Sequence, residues 1–168
     1  HAGFCSWLFS TIAKRLAGVS TREEGREFLS LMMARVQDAF VRKPFHVDGG
    51  QDLVTVCRAM RDAGQTNALV DDGDRLGIFT TTDLRDALLR PEPLDTLPVR
   101  EVSHFELIEV QADSEVFEAL WLMVRHRVHR LLVRDGEAVL GVLGQLDLVS
   151  FVANHSHIVA LQIDEATT

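Results

Sequence analysis

Two aspartates, Asp83 and Asp147, have the side chain and the surroundings that best suit binding chemistry. Each lies three residues beyond a predicted strand-to-helix junction, in the similar runs at 77–84 and 141–148. An ionised carboxylate only accepts hydrogen bonds, so it can take both hydroxyl protons of a vicinal diol such as that of ribose. In the first run, the Thr80 hydroxyl and the unpaired N–H groups of the helix start suit a phosphate. The spacing therefore predicts a ribose phosphate site at Thr80 and Asp83.

The same two residues also match a capping box, in which a threonine and an acid three residues later satisfy the orphan N–H groups of a helix. Such a cap contributes about 1 kcal/mol of stability and requires no ligand. In the second run Gly144 replaces the threonine, whereas Asp147 is kept and still gains from the helix dipole. Both interpretations stay open at this level, and we expect the site with the Thr80 hydroxyl to be the stronger one.

The two runs belong to a longer internal repeat. Asp83 and Asp147 are 64 residues apart, and upstream the match holds at 63 residues, pairing Val47 with Val110. Hydrophobic periodicity and turn residues predict the order β-α-β-β-α in each copy. The predicted elements lie at 45–47, 52–63, 67–70, 76–79 and 81–89 in the first copy, and at 107–110, 115–126, 130–133, 139–143 and 145–153 in the second. We expect an α/β fold in which the two units pack as a pair, because one unit is too small to bury much surface alone.

An α-helical connector is predicted ahead of the repeats, with amphipathic helices at 4–16 and 22–40. Pro44 should end the second of these helices. The expected organisation is a helical connector at 1–41, a first unit at 42–92, a second unit at 93–153 and a C-terminal helical tail or linker at 154–168. The connector holds too few elements to be a domain, so we expect it to join the repeats to another part of a longer chain.

The composition argues against several classes of function. The 168 residues carry a formal net charge of −8, so the chain has no general attraction for nucleic acid or for an anionic membrane. No apolar run is long enough to span a bilayer. Cys5 and Cys57 lack the spacing of a disulfide framework or a zinc site, which is typical of a cytoplasmic protein. We find no arrangement of nucleophile, base and acid, and we therefore predict no enzyme activity, no metal and no required cofactor.

A basic cluster is a further candidate site, near the end of the predicted helix of the second repeat. It consists of Arg125, His126, Arg127, His129 and Arg130. One interpretation is contact with a phosphate, which would place His129 and Arg130 among the ligand-binding residues. The other is a solvated helix end, where cations are favoured by the helix dipole.

The repeated unit resembles the CBS domain, and the pair resembles the tandem arrangement called a Bateman module. The resemblance covers 43–152 and rests on the runs at 76–84 and 140–148, with support from the segments 67–70 and 129–133. Because two copies of the motif occur in the same order of elements, the match is more specific than one motif would be.

The resemblance implies roles for particular residues. Asp83 would hold the ribose and Thr80 the phosphate, as the motif chemistry suggests. An adenine ring would lie between apolar walls, with backbone groups of Thr66, Asn67 and Ala68 reading its edge. Asp147 would occupy the place of Asp83 in the second copy.

The resemblance also implies a regulatory function. Such a module binds an adenine nucleotide (AMP, ADP or ATP; a cyclic dinucleotide or S-adenosylmethionine also fits) in the cleft between its units, biases an adjacent domain, and forms a homodimer. The segments 40–45, 82–87 and 154–163 look like bacterial signalling proteins with an upstream cyclic-nucleotide-binding domain and a downstream nucleotidyltransferase domain. The alternative is a ligand-free dimerisation and linker module, in which both motifs act only as helix caps.

Overall fold

The computed structural model describes residues 30, 33–39, 41–151 and 154. Two compact units are present. The first unit is Lys43–Leu107, and the second combines the described residues up to Arg42 with those from Ile108 onward. The predicted helices at 4–16 and most of 22–40, and the predicted tail at 154–168, lie almost entirely outside the described residues.

Both units have the predicted β-α-β-β-α order, which confirms the α/β fold. The elements of the first unit are β1 (His46–Asp48), α1 (Leu53–Asp62), β2 (Asn67–Asp72), β3 (Arg75–Thr80) and α2 (Thr81–Ala87), followed by a 3-10 helix (Val99–Val102). The elements of the second unit are a 3-10 helix (Val36–Asp38), β4 (Glu109–Gln111), α3 (Val116–His126), β5 (Arg130–Asp135), β6 (Ala138–Gly144) and α4 (145–151).

Each unit contains one sheet of three strands with the same topology. In the first unit the order is β1-β2-β3, with β1 parallel and β3 antiparallel to β2. The second unit repeats this arrangement with β4-β5-β6. The hairpins turn at Gly73 and Gly136, whose positive φ angles of 65° and 58° favour glycine. The register pairs Asn67 with Thr80, which places the start of β2 beside the strand-to-helix junction of the first motif.

The core of each unit follows from the apolar periodicity of its helices and the apolar strands beneath them. Leu53, Val56 and Met60 lie on one face of α1 and are buried against Val70 and Phe79 of the sheet. The second unit has an equivalent cluster formed by Val116, Ala119, Leu120, Met123, Leu131, Val133 and Leu143. These clusters fix the strand-to-helix junctions that carry Asp83 and Asp147.

The predicted helix at 22–40 is wrong over 33–39, although Ser30 is helical. Residues 33–39 form an extended bridge and a 3-10 turn, in which Arg35 pairs with Glu115. The Val36 N–H donates to the Ser114 carbonyl and the Gln37 N–H to the Ala112 carbonyl, so these donors serve another segment and not an α-helical ladder. Val36 is fully buried in the core of the second unit. The apolar spacing that resembled a helix stripe here reflects burial in an irregular segment.

The segment that precedes each repeat completes the unit of the other repeat. The segment from Val36 to Arg42 lies ahead of the first repeat and belongs to the second unit, and the segment from Val99 to His104 lies ahead of the second repeat and belongs to the first unit. Val99 N–H donates to the Gln51 carbonyl, as Val36 N–H does to Ser114. The two crossing segments, as we call them, are therefore equivalent.

Candidate functional site

Asp83 is nearly buried at the start of α2, and its carboxylate is occupied from two sides. Oδ2 accepts the Thr80 N–H at 2.7 Å and the Thr80 hydroxyl at 2.7 Å. Thr80 is the N-cap residue, and the two residues form a capping box. Oδ2 therefore acts as a helix cap, as the capping-box interpretation expects. The Thr80 hydroxyl, which was expected to hold a phosphate, donates to Asp83 instead.

The other oxygen of Asp83, Oδ1, faces His104, which ends the crossing segment from Val99 to His104. His104 Nε2 lies 2.9 Å from Asp83 Oδ1, and the His104 side chain is 73% exposed whereas that of Asp83 is 7% exposed. The backbone of His104 is held by a β-bridge, since it exchanges two hydrogen bonds with Ile78 at 2.8 and 3.0 Å. The imidazole therefore covers Oδ1 from a fixed backbone, while most of the ring stays in water.

Asp147 has the equivalent place in the second unit and a different partner. Its Oδ2 accepts the Gly144 N–H at 3.0 Å, which is the counterpart of the Thr80 N–H bond. The guanidinium of Arg42 donates to both oxygens of the carboxylate. Nη2 lies 2.9 Å and Nε 3.1 Å from Oδ1, and Nε lies 3.3 Å from Oδ2. This hydrogen bonding and the charge of Asp147 raise the pKa of Arg42, so the guanidinium stays charged.

The equivalence of His104 and Arg42 is built into the backbone. Arg42 exchanges two backbone hydrogen bonds with Val142, as His104 does with Ile78. Close approach of each crossing segment needs a glycine on the strand. A Cβ on Gly77 would lie 3.0 Å from the His104 carbonyl oxygen, and one on Gly141 would collide with that of Arg42. In each motif, a carboxylate at a helix start accepts the N–H of the residue three positions before it and contacts one basic side chain.

The carboxylate of Asp147 also borders an open cavity. This cavity has a volume of about 450 Å³ and is lined by Val41, Arg42, Asp147 and Ser150. Arg42 is 59% exposed and forms part of the wall. A ligand that entered here would meet the guanidinium before it reached the carboxylate.

The structure places the other predicted residues of the first motif along β2. Asn67 and Ala68 are the first residues of β2 and are buried, and Thr66 is exposed just before it. Asn67 lies opposite Thr80 in the antiparallel ladder, so this stretch of backbone adjoins the Asp83 carboxylate. The position agrees with the place expected for an adenine-reading segment, and the role itself stays a prediction.

The predicted residues of the basic cluster divide by position. Arg130 begins β5 opposite Gly144, which brings it beside the second motif. His129 Nδ1 lies 3.0 Å from Gln145 Oε1, and its carbonyl accepts the Gln145 N–H at 2.9 Å. Arg125 instead stacks over Trp121 on the exposed face of α3, 4.7 Å from the ring centroid. His129 and Arg130 therefore adjoin the second motif, whereas Arg125 lies on the helix surface.

Sequence reasoning missed the two residues that cover the carboxylates. His104 and Arg42 lie far from their partners in sequence, and Arg42 and Asp147 are 105 positions apart. The available signal was a basic residue shortly before the first strand of each repeat, together with the paired glycines Gly77 and Gly141. Among the described residues, no group of three His, Cys, Asp or Glu side chains could hold a metal ion.

The comparisons with known proteins agree with this architecture. A model of the CBS domain family matches residues 36–90 and 99–154, which together make up about two thirds of the chain. The chain therefore belongs to the CBS domain family and contains a tandem pair of these domains. The predicted resemblance to a CBS pair is confirmed.

Individual relatives are distant. Protein MJ0450 of Methanocaldococcus jannaschii is 24% identical over 114 residues, which is 65% of this chain and 61% of that protein, so the chain spans about three fifths of this curated relative. A protein with CBS domains from Burkholderia ambifaria MC40-6 is 26% identical with a TM-score of 0.61, covering 73% of this chain and 90% of that one. The CBS domain protein PAE2072 of Pyrobaculum aerophilum, solved in complex with AMP, is 20% identical with a TM-score of 0.59, covering 72% of this chain and 99% of that one.

Within the described part of the chain, no helix combines the length and apolar character needed to cross a membrane.

Proposed function

We propose that this chain is a non-catalytic regulatory module that binds an adenine nucleotide at the first motif, with Asp83 as the ribose acceptor. One observation carries the proposal: a nearly buried carboxylate whose Oδ1 is contacted by the exposed ring of His104. If that ring swings into water, Oδ1 becomes a sheltered acceptor for a ligand hydroxyl while Oδ2 stays in the helix cap. A charge-assisted hydrogen bond in such a site is about twice as strong as a neutral one.

Family membership supports the choice of ligand. The Pyrobaculum protein carries the same fold and was solved with AMP. In this chain, the backbone of Thr66, Asn67 and Ala68 adjoins the first motif and could read an adenine edge. We therefore propose AMP, ADP or ATP as the ligand class, with the second motif at Asp147 as the weaker site because the guanidinium of Arg42 already occupies that carboxylate.

The test is a calorimetric titration with AMP, ADP and ATP on the wild-type chain, Asp83→Asn and Asp147→Asn. Asparagine keeps the shape of the side chain and one acceptor oxygen, so the fold is retained while the charge is lost. We expect Asp83→Asn to weaken binding by about tenfold or more, equivalent to about 1.4 kcal/mol or more, and Asp147→Asn to change it less. Equal binding by all three proteins would reject Asp83 as the ribose acceptor.

Thermal denaturation gives an independent readout of the same proposal. A ligand present at about 100 times its dissociation constant should add about 2.7 kcal/mol to the stability of the wild-type chain. Guanine nucleotides serve as the matched control for the base. An absence of stabilisation by any adenine nucleotide, with no heat in the titration, would favour the second candidate below.

The second candidate is a ligand-free dimerisation and linker module. The observation that favours it is that every oxygen of the two motif carboxylates already has a protein partner. In this case Asp83 and Asp147 act as helix caps and as anchors for the crossing segments. Their substitution would then lower stability, and nucleotides would have no effect on the wild-type chain.

The proposed module acts within a larger assembly. We propose that it biases an adjacent domain of a longer cytoplasmic chain, of the bacterial signalling type that the flanking residues resemble, and that two copies form a homodimer. A hexameric CBS-CP12 protein from bloom-forming cyanobacteria, 20% identical with a TM-score of 0.64, covering 70% of this chain and 67% of that one, is an oligomeric relative. Light scattering on the purified chain, with and without AMP, tests the dimer.

A further inference from the structure

We propose that His104 and Arg42 decide which motif a ribose diol can reach: His104 makes the first motif accessible in a proton-dependent manner, and Arg42 holds the second motif closed. This inference rests on the proposed function, because it concerns the same two carboxylates. It assigns to the crossing segments a selective role that goes beyond completing the sheets.

Asp83 offers a ligand few free acceptor positions. Oδ2 already accepts two hydrogen bonds from Thr80, both at 2.7 Å, and these hold the start of α2. A diol must therefore bind at Oδ1, which is the atom that His104 Nε2 covers at 2.9 Å. The Asp83 side chain is only 7% exposed, so a diol and the imidazole have little room to share it. Binding requires that the ring moves.

The His104 ring can rotate away from Asp83 at little cost. The His104 side chain is 73% exposed, so rotating it away exposes little additional apolar surface. Its backbone need not move, since the two hydrogen bonds with Ile78 involve only main-chain atoms. The ring contacts Asp83 Oδ1, and the strength of that contact depends on the charge of the ring.

Protonation of the His104 ring controls the strength of its contact with Asp83. Histidine changes its charge between about pH 5 and about pH 8. When the ring is protonated, the contact with the ionised carboxylate is an ion pair, which a diol with neutral hydroxyls must break. When the ring is neutral, its contact with the carboxylate lacks the attraction between two opposite charges, so less opposes the ligand. Diol affinity at the first motif should therefore rise with pH across the histidine range.

The surroundings of His104 leave Asp83 as its electrostatic partner. The charged side chains on the elements packed against this crossing segment are Asp71, Asp72 and Arg75 of the hairpin, Asp83, Arg85 and Asp86 of α2, Arg100 and Glu101 of the 3-10 helix, and the neighbouring Glu106. Arg75 pairs with Asp72 and Arg85 with Asp86. Asp71 pairs with His46. In the part of the chain that the structure describes, Asp83 is the one carboxylate within 4 Å of a ring nitrogen of His104.

Arg42 differs in both charge and geometry. Its planar guanidinium makes three contacts with Asp147 between 2.9 and 3.3 Å, and its pKa is raised by this partner, so it keeps its charge between about pH 5 and about pH 8. Arg42 therefore cannot release Asp147 by losing a proton. The same place in the two units is thus filled by a releasable cation in one and by a permanent cation in the other.

The experiment compares AMP with its 2′-deoxy analogue by calorimetry on the 168-residue chain at about pH 6 and about pH 8. The two ligands share the titrating phosphate, so the ratio of their affinities isolates the diol contact. Asp147→Asn in the background reports the first motif alone. We expect the preference for AMP to rise by about tenfold between the two pH values, equivalent to about 1.4 kcal/mol. In His104→Gln, which keeps a neutral donor, the preference should be high at both pH values.

Two further variants extend the test. His104→Arg gives the first motif the cation of the second and should remove the preference for AMP at both pH values. Arg42→Gln, in an Asp83→Asn background, should create or strengthen AMP binding at the second motif by about tenfold. Circular dichroism on each variant checks that the exposed substitutions leave the fold intact.

The possible results separate the two proposals. If AMP binds and the preference is the same in the wild type and His104→Gln, or falls in His104→Gln, then His104 does not compete with the diol and the inference is overturned while nucleotide binding stands. If neither the wild type nor the His104→Gln and Arg42→Gln variants bind AMP, then the proposed function and the inference are both overturned. Binding that appears only in the variants supports the inference.

Discussion

Replacing Asp83 with alanine should destabilise the protein more than replacing its repeat partner Asp147. Asp83→Ala removes the acceptor of two short hydrogen bonds from Thr80 and leaves the buried Thr80 N–H and hydroxyl without a partner. Loss of the cap and burial of unsatisfied donors together should cost about 2 to 3 kcal/mol. Asp147→Ala releases one N–H of Gly144 and the guanidinium of Arg42, which is 59% exposed and regains water, so we expect about 1 kcal/mol.

The assay is urea denaturation followed by far-UV circular dichroism, without nucleotide. Asp86→Ala is the matched control, because Asp86 lies in the same helix, is exposed and pairs with the adjacent Arg85; we expect a change below about 0.5 kcal/mol. The denaturant slope should stay constant across the variants, since the same surface is exposed on unfolding. A loss for Asp147→Ala that equals or exceeds that for Asp83→Ala would refute the reasoning from buried, unsatisfied donors.

Two other predictions concern local geometry. Gly141→Ala should cost about 1 to 3 kcal/mol, because its Cβ would collide with the Arg42 carbonyl oxygen; denaturation measures this, and an unchanged stability would contradict the close approach of the crossing segment. Asp52 caps α1 by accepting hydrogen bonds from Thr55, and these bonds lower the pKa of Asp52 from its ordinary value of 3.8. The cap therefore stabilises the protein in full above pH 3.8, and this stabilisation is lost as the pH falls through the lowered pKa. The difference in melting temperature between the wild type and Asp52→Ala should therefore shrink on acidification below about pH 4, whereas Glu115→Ala, at the equivalent position without a side-chain cap bond, should show no such trend.

The element order was predictable because its determinants are local. The apolar spacing of α1, the turn glycines Gly73 and Gly136, and the hairpin strands are all read within a window of about ten residues. The repeat added independent support, since each copy predicted the same order. The helix expected at 22–40 failed over 33–39 for the opposite reason: the Val36 N–H donates to a carbonyl of the other repeat, and no local pattern records such a partner.

The sequence by itself determined that a carboxylate stands at the same strand-to-helix junction in both units, because that position follows from the repeat and from helix capping. Only the tertiary structure decided what each carboxylate meets. His104 reaches Asp83, and Arg42 reaches Asp147 across 105 residues, because each crossing segment bridges the strand of the unit formed by the other repeat. Contacts of this kind depend on how separate segments pack, and the spacing of residues along the chain does not encode them. Thus two motifs that look alike in sequence meet, in the fold, an imidazole in one unit and a guanidinium in the other.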